Sequence, residues 1–155
     1  MPFKIGKALI YAVLLWTIGF VWGSIVFMTP ALKTVAAIPY VSSNPAISFP
    51  ILIIWLIVTY LLAKSYLKAA GDKAAEGLKL GIMFSIVNVL LDLFVLVLLL
   101  KAGLGYFVSL TIWLGYFMLF VIPWIVGRSL QQNVAERDGS EQIGRSGISG
   151  LLNDK

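Results

Sequence analysis

Residues 78–100, LKLGIMFSIVNVLLDLFVLVLLL, decide the fold of this chain. A helix rises 1.5 Å per residue, so about 20 apolar residues span the roughly 30 Å hydrocarbon core of a bilayer. This stretch reaches that length and contains one carboxylate, Asp92. It predicts a membrane-spanning α-helix.

Three further apolar runs occupy residues 8–28, 47–63 and 104–126. The first is longer than the core of a signal peptide, which has about 7 to 15 residues. The chain is 60% apolar and 12% charged, whereas a soluble domain has about 45 to 50% apolar and about 25% charged residues. Because so small a domain could not bury this much apolar surface, lipid must cover the excess.

The predicted fold is all-α, a polytopic bundle of four transmembrane helices. Residues 1–127 form the transmembrane domain, with helices at about 8–28, 47–70, 73–101 and 104–127. Gly71 ends the second helix and Asp72 caps the third, which makes a tight hairpin. Residues 128–155 are rich in Gly, Ser, Asn, Gln and charge, and they predict a flexible polar tail.

Orientation follows from the placement of the 12 Lys and Arg residues. All but Lys33 and Lys101 lie in the N-terminus, the middle hairpin or the tail. Cytoplasmic segments carry the excess of basic residues. Both termini are therefore expected in the cytoplasm.

Cys and His are absent from the chain. Their absence excludes disulfides, thiol nucleophiles and catalytic imidazole, and it removes the commonest zinc and haem ligands. The basic residues are spread along the chain and form no dense patch for nucleic acid. A dyad of carboxylates and a phosphate-binding GxxxxGK[ST] loop are also missing from the apolar runs. We therefore expect no enzyme activity, no metal, no cofactor and no nucleic-acid partner.

One stripe of the third run is polar. An ionised group in hydrocarbon costs about 2.5 to 3.5 kcal/mol on insertion scales, so Asp92 requires an explanation. At 100° per residue, Gly81, Ser85, Asn88 and Asp92 share one face, which should turn toward the other helices. Counting the rise from the inner end places four residues of the other helices at a similar depth, namely Trp22, Trp55, Thr111 and Trp113. Their donors are expected to face the carboxylate or its amide neighbour.

This candidate intramembrane site has two interpretations. In the first, Asp92 is hydrogen-bonded or protonated and simply locks the bundle together. In the second, it handles a proton or cation in a small transporter or channel, because intramembrane acids mark such pathways.

Two GxxxG motifs predict close approach between helices. Gly19 and Gly23 form one in the first helix, and Gly77 and Gly81 form the other in the third. Small residues at this spacing let backbones come together. The motifs fit packing inside one bundle, and they also fit a homodimer seam.

Residues 76–81, EGLKLG, and 88–93, NVLLDL, resemble those of an uncharacterised family of small four-helix integral membrane proteins of bacteria and archaea. Similar residues of the first and fourth helices are Trp16, Phe20, Val21, Phe27, Pro30, Tyr116, Pro123 and Gly127. The resemblance implies a compact bundle whose most distinctive feature is the segment from Asn88 to Asp92. It also implies a location in the cytoplasmic (inner) membrane of a prokaryote, and it implies no activity.

The sequence as a whole favours a non-enzymatic integral membrane protein. It would act as a homo-oligomer or as a structural or accessory subunit of a larger membrane complex, with the lipid bilayer around it. The alternative is a small proton- or cation-linked transporter or channel that depends on Asp92.

Overall fold

The described part of the chain is helical throughout. The computed structural model describes the backbone of residues 3–28, 45–101, 103–108 and 110–152, and within these ranges all side chains except those of 26–28, 45–49, 106, 111 and 137–152. Its elements are α1 (Ile5–Met28), α2 (Pro45–Leu67), α3 (Lys73–Leu91), a π-helical segment (Asp92–Leu99), a 3-10 helix (Leu104–Val108) and α4 (Leu110–Leu152). The all-α prediction is thus confirmed for these residues. They include four helices that are long and apolar enough to cross a membrane.

The helices pack as a bundle in which α1 and α4 each contact both α2 and α3. The α3–α4 interface is the most extensive. Leu15, Leu67, Phe84 and Leu119 are among the fully buried side chains of the interior. Because every helix has neighbours on two sides, polar side chains of α3 can reach α1 and α4 at once.

The outer faces of the bundle are apolar as well. Ile57, Leu90 and Phe117 are each at least half exposed, as are many other large apolar side chains on all four helices. In water such a surface would be an association hazard. In a bilayer it is the surface that lipid tails solvate.

The third helix begins as predicted and ends differently. The Asp72 carboxylate accepts a hydrogen bond from the Ala75 amide at 3.0 Å, which confirms its role as N-cap. The sequence predicts one α-helix to residue 101, but the winding is π-helical over Asp92–Leu99. The Asp92 N–H still bonds to the carbonyls four and three residues earlier, those of Asn88 and Val89. At the far end the Leu100 N–H donates to the carbonyl five residues earlier, that of Val95, at 2.9 Å. A side-chain pattern carries no signal for this change of hydrogen bonding.

The fourth helix also differs from its predicted range of 104–127. Residues 104–108 form a 3-10 helix, and α4 starts at Leu110 and continues to Leu152. Gly127 could end a helix, but here it lies inside α4, where it packs against the Lys73 carbonyl, and no proline follows Pro123. The backbone of residues 128–152 is accordingly helical, while the mobility of this tail stays a prediction.

Candidate functional site

Asp92 lies where three helices meet. Its side chain is 6% exposed. The Trp16 indole of α1 donates its Nε1–H to Oδ1 at 2.8 Å, and the Tyr116 hydroxyl of α4 donates a short hydrogen bond to Oδ2. Both carboxylate oxygens thus accept hydrogen bonds, one from each neighbouring helix.

Asn88 lies one turn before Asp92 and is 2% exposed. Its amide nitrogen donates to the Ala12 carbonyl of α1 at 3.2 Å and to the Phe84 carbonyl of its own helix at 2.8 Å. A helix carbonyl near the middle of α1 already accepts one intrahelical bond, so the Asn88 amide uses its second lone pair. Asn88 therefore joins α1 to α3.

Ser85 completes the polar stripe on the side of α4. Its hydroxyl is half-buried and donates to the Tyr116 carbonyl at 3.1 Å. Tyr116 consequently contacts α3 twice, through its backbone at Ser85 and through its hydroxyl at Asp92. The three polar residues that the sequence singles out on α3 all make hydrogen bonds to neighbouring helices.

The hydrogen bonds also define the register of α1 and α3. The Ala12–Asn88 and Trp16–Asp92 pairs share one sequence separation of 76 residues, which makes the two helices parallel. The depth count from the apolar runs aligns Asp92 with Trp22, six residues beyond Trp16. That error is about 9 Å along the helix, and it arises because the two apolar runs do not start at the same level.

The indole of Trp55 lies beside this network and serves the packing of α2. It is 8% exposed, and its Nε1–H donates to the Leu15 carbonyl at 3.2 Å. A Cβ atom at Gly19 would lie 2.6 Å from Trp55 Cζ2, and one at Gly115 would lie 2.5 Å from Cζ3. The glycines of α1 and α4 thus make the space into which the ring inserts.

The other residues predicted at this depth have different surroundings. Trp113 is 54% exposed and donates to the Phe107 carbonyl at 2.8 Å. Trp22 is half-buried and lines a shallow groove between α1 and α2 with Ile51 and Ile54. The side chain of Thr111 lies outside the described residues.

Trp16 and Tyr116, the two donors shown on Asp92, are missing from the site that depth counting predicts. Trp16 is half-buried and stacks on Phe20, with ring centroids 5.0 Å apart. Tyr116 is 5% exposed. Both residues are among those named for the proposed resemblance, although depth counting does not select them.

The second glycine motif lies in the α3–α4 interface. A Cβ at Gly77 would lie 2.5 Å from the Pro123 carbonyl oxygen, and a Cβ at Gly81 would collide with the Phe120 carbonyl oxygen. Gly127 is in the same position on α4, facing the Lys73 carbonyl. These glycines bring two backbones into direct contact. Gly23 of the first motif is buried.

Among the side chains that the structure describes, no three His, Cys, Asp or Glu residues lie close enough to hold a metal ion. The ion pair found within this part of the chain joins Lys79 to Glu76, at 3.3 Å, in the first turns of α3. The polar chemistry of the bundle interior therefore centres on Asp92, Asn88, Trp16 and Tyr116.

Comparison of the chain with protein-family models, curated proteins and solved structures gives no significant match. The resemblance carried by residues 76–81 and 88–93 therefore stays a prediction.

Proposed function

We propose that this chain is a non-enzymatic integral membrane protein of a prokaryotic cytoplasmic membrane, with both termini in the cytoplasm. In this proposal Asp92 is the residue that locks its helices together. The protein acts as a homo-oligomer or as an accessory subunit of a larger membrane assembly. Four helices long and apolar enough to cross a membrane support the membrane location, and the distribution of Lys and Arg supports the orientation.

The observation that carries the locking role is the use of both Asp92 oxygens. One accepts from α1 and the other from α4, in a site that is 6% exposed. A carboxylate engaged in this way is a fixed acceptor between helices. Interhelical hydrogen bonds in membranes contribute about 0.6 to 2 kcal/mol each, so the pair is a substantial part of the stability of a small bundle.

A second candidate function is proton- or cation-linked transport through the bundle. Two features favour it. The π-helical winding begins at Asp92 itself, and π-turns occur frequently at functional sites. The Tyr116 hydroxyl on Oδ2 is also a group that can pass a proton to or from the carboxylate.

Flux measurements separate the two functions. The protein is reconstituted into vesicles with an internal pH dye, and proton and cation fluxes are compared for the native chain and Asp92→Asn. The locking role predicts no flux in either form, together with lower thermal stability or altered oligomerisation for Asp92→Asn. A flux that the native chain supports and Asp92→Asn abolishes would establish transport and reject the locking role.

Tyr60→Phe is the matched control for the vesicle preparation. Tyr60 is on α2, is 42% exposed and loses one hydroxyl in this change. It should leave both stability and flux as in the native chain.

A further inference from the structure

The ends of α1 and α2 meet in a small cluster of basic, aromatic and hydroxyl groups. The backbone N–H of Lys4 donates to the Tyr66 hydroxyl at 2.8 Å, and the hydroxyls of Tyr11 and Ser65 are 3.3 Å apart. These contacts tie the start of α1 to the end of α2. The proposed orientation puts this seam at the cytoplasmic surface of the membrane.

Lys7 is the charged residue at the centre of this seam. Its ammonium nitrogen lies 5.3 Å from the centre of the Tyr11 ring and 5.9 Å from that of Tyr66. The residue is half-buried, whereas Lys4 and Lys64 beside it are exposed. Cation–π contacts of this kind hold an ammonium in place, so Lys7 offers a positioned charge.

No described carboxylate forms an ion pair with Lys7, and the described acid whose charge reaches the neighbouring Tyr66 is Glu76. The ion pair within the described residues belongs to Lys79 and Glu76 on α3. Lys7 therefore keeps its charge available beside the Tyr11 and Ser65 hydroxyls. The hydrogen bond between the Tyr11 and Ser65 hydroxyls uses one of their two O–H groups. The Lys7 ammonium and the remaining O–H are therefore the donors from which a phosphate diester can accept.

We propose that Lys7, Tyr11 and Ser65 form a binding site for the phosphate of an anionic phospholipid of the inner leaflet. Lys4 and Lys64 add positive charge at its rim, and the apolar outer faces of α1 and α2 lie below it for the acyl chains. The inner leaflet supplies such lipids at high local concentration, and each basic residue near its surface adds attraction. The inference rests on the proposed membrane orientation and is independent of whether Asp92 locks or transports.

The test is the lipid selectivity of the reconstituted full chain. Spin-labelled phosphatidylglycerol and spin-labelled phosphatidylcholine are compared by electron paramagnetic resonance in phosphatidylcholine vesicles at fixed ionic strength. The native chain should prefer the anionic label. One basic charge near the surface accounts for a loss of about fivefold, so Lys68→Gln, which removes an exposed charge from the turn after α2, should lower that preference by no more than this. Lys7→Gln should lower it further, because it also removes the positioned ammonium of the site.

A double variant that keeps every charge tests the contribution of the hydroxyl groups alone. Tyr11→Phe with Ser65→Ala removes both hydroxyls and keeps every charge, so a built site predicts a reduced preference for phosphatidylglycerol. Native-like preference in this variant, or equal losses for Lys7→Gln and Lys68→Gln, would overturn the proposal, because either result means that charge alone selects the lipid. This arm also decides the matter if Lys7→Gln fails to fold.

Competition with inorganic phosphate tests whether the site binds the phosphate of a lipid or soluble phosphate. When chloride is replaced by inorganic phosphate at constant ionic strength, a lipid site should keep its preference. Loss of the preference would assign the site to soluble phosphate and overturn the lipid assignment. A chain that cannot be reconstituted at all would reject the proposed membrane location instead, so the two failures are distinguishable.

Discussion

Two aromatic donors on different helices share one carboxylate at the centre of the bundle. Trp16 and Tyr116 each use their single N–H or O–H on Asp92. Aromatic residues with a polar tip suit this task, because the ring packs in apolar surroundings while the tip donates. The proposed lock thus consists of a few polar atoms on three helices.

Removing the Tyr116 hydroxyl tests the importance of that contact. Tyr116→Phe should lower the free energy of unfolding in detergent by about 1.5 to 3 kcal/mol, since it leaves a buried carboxylate oxygen without this donor. Thermal or denaturant unfolding followed by circular dichroism measures the change.

A double-mutant cycle identifies the partner. In an Asp92→Ala background, which has no side-chain acceptor, Tyr116→Phe should cost clearly less than in the native chain, because the oxygen to which the hydroxyl donates is already gone. Equal costs in the two backgrounds would show that the hydroxyl stabilises the bundle in some other way.

Among the secondary-structure elements, glycines determine how closely two helices can pack. Gly81 faces the backbone of α4 at Phe120, whereas a Cβ at Gly6 of α1 would meet nothing within 4 Å. Gly81→Ala should therefore cost about 1 to 3 kcal/mol by forcing two backbones apart. Gly6→Ala should be neutral or stabilising, because Ala has the higher helix propensity. Unfolding of the two variants in the same detergent compares them, and equal stability would contradict the close contact.

The insertion of Trp55 between α1 and α4 gives a further prediction for the elements. Gly19→Leu should destabilise the bundle, since even its Cβ would overlap the indole. Adding Trp55→Ala to Gly19→Leu should recover part of the loss, because it empties the space that the new side chain needs. Thermal stability of the single and double variants measures this recovery. If the double variant loses as much as the two single changes together, the residues are not in contact.

The sequence predicts these elements well where apolar length and capping chemistry decide them. The four helices and the Asp72 cap follow from residues that act locally. The partners of Asp92 do not, because the relative level of α1 and α3 depends on packing and not on where each apolar run begins. The π-helical segment cannot be predicted from the sequence either, since residues 92–99 have the same apolar character as a membrane-spanning α-helix.

For the whole molecule, orientation is the property to test. The chain has no Cys, so a single introduced cysteine reports its own location. In intact cells a membrane-impermeant maleimide should label Lys101→Cys and should not label Lys68→Cys, while both should react after the cells are opened. Both are exposed in the structure. The opposite labelling pattern would invert the proposed topology.

The parallel register of α1 and α3 has one more consequence. With the separation of 76 residues seen at Trp16 and Asp92, Ile5 at the start of α1 is level with Gly81, whereas α3 already starts at Lys73. The first two turns of α3 therefore extend about 12 Å past the base of α1. They pair there with α4, whose Gln131 side chain accepts from the Lys73 amide at 2.9 Å. At this end of the bundle α3 and α4 therefore project beyond α1, and the end surface is uneven.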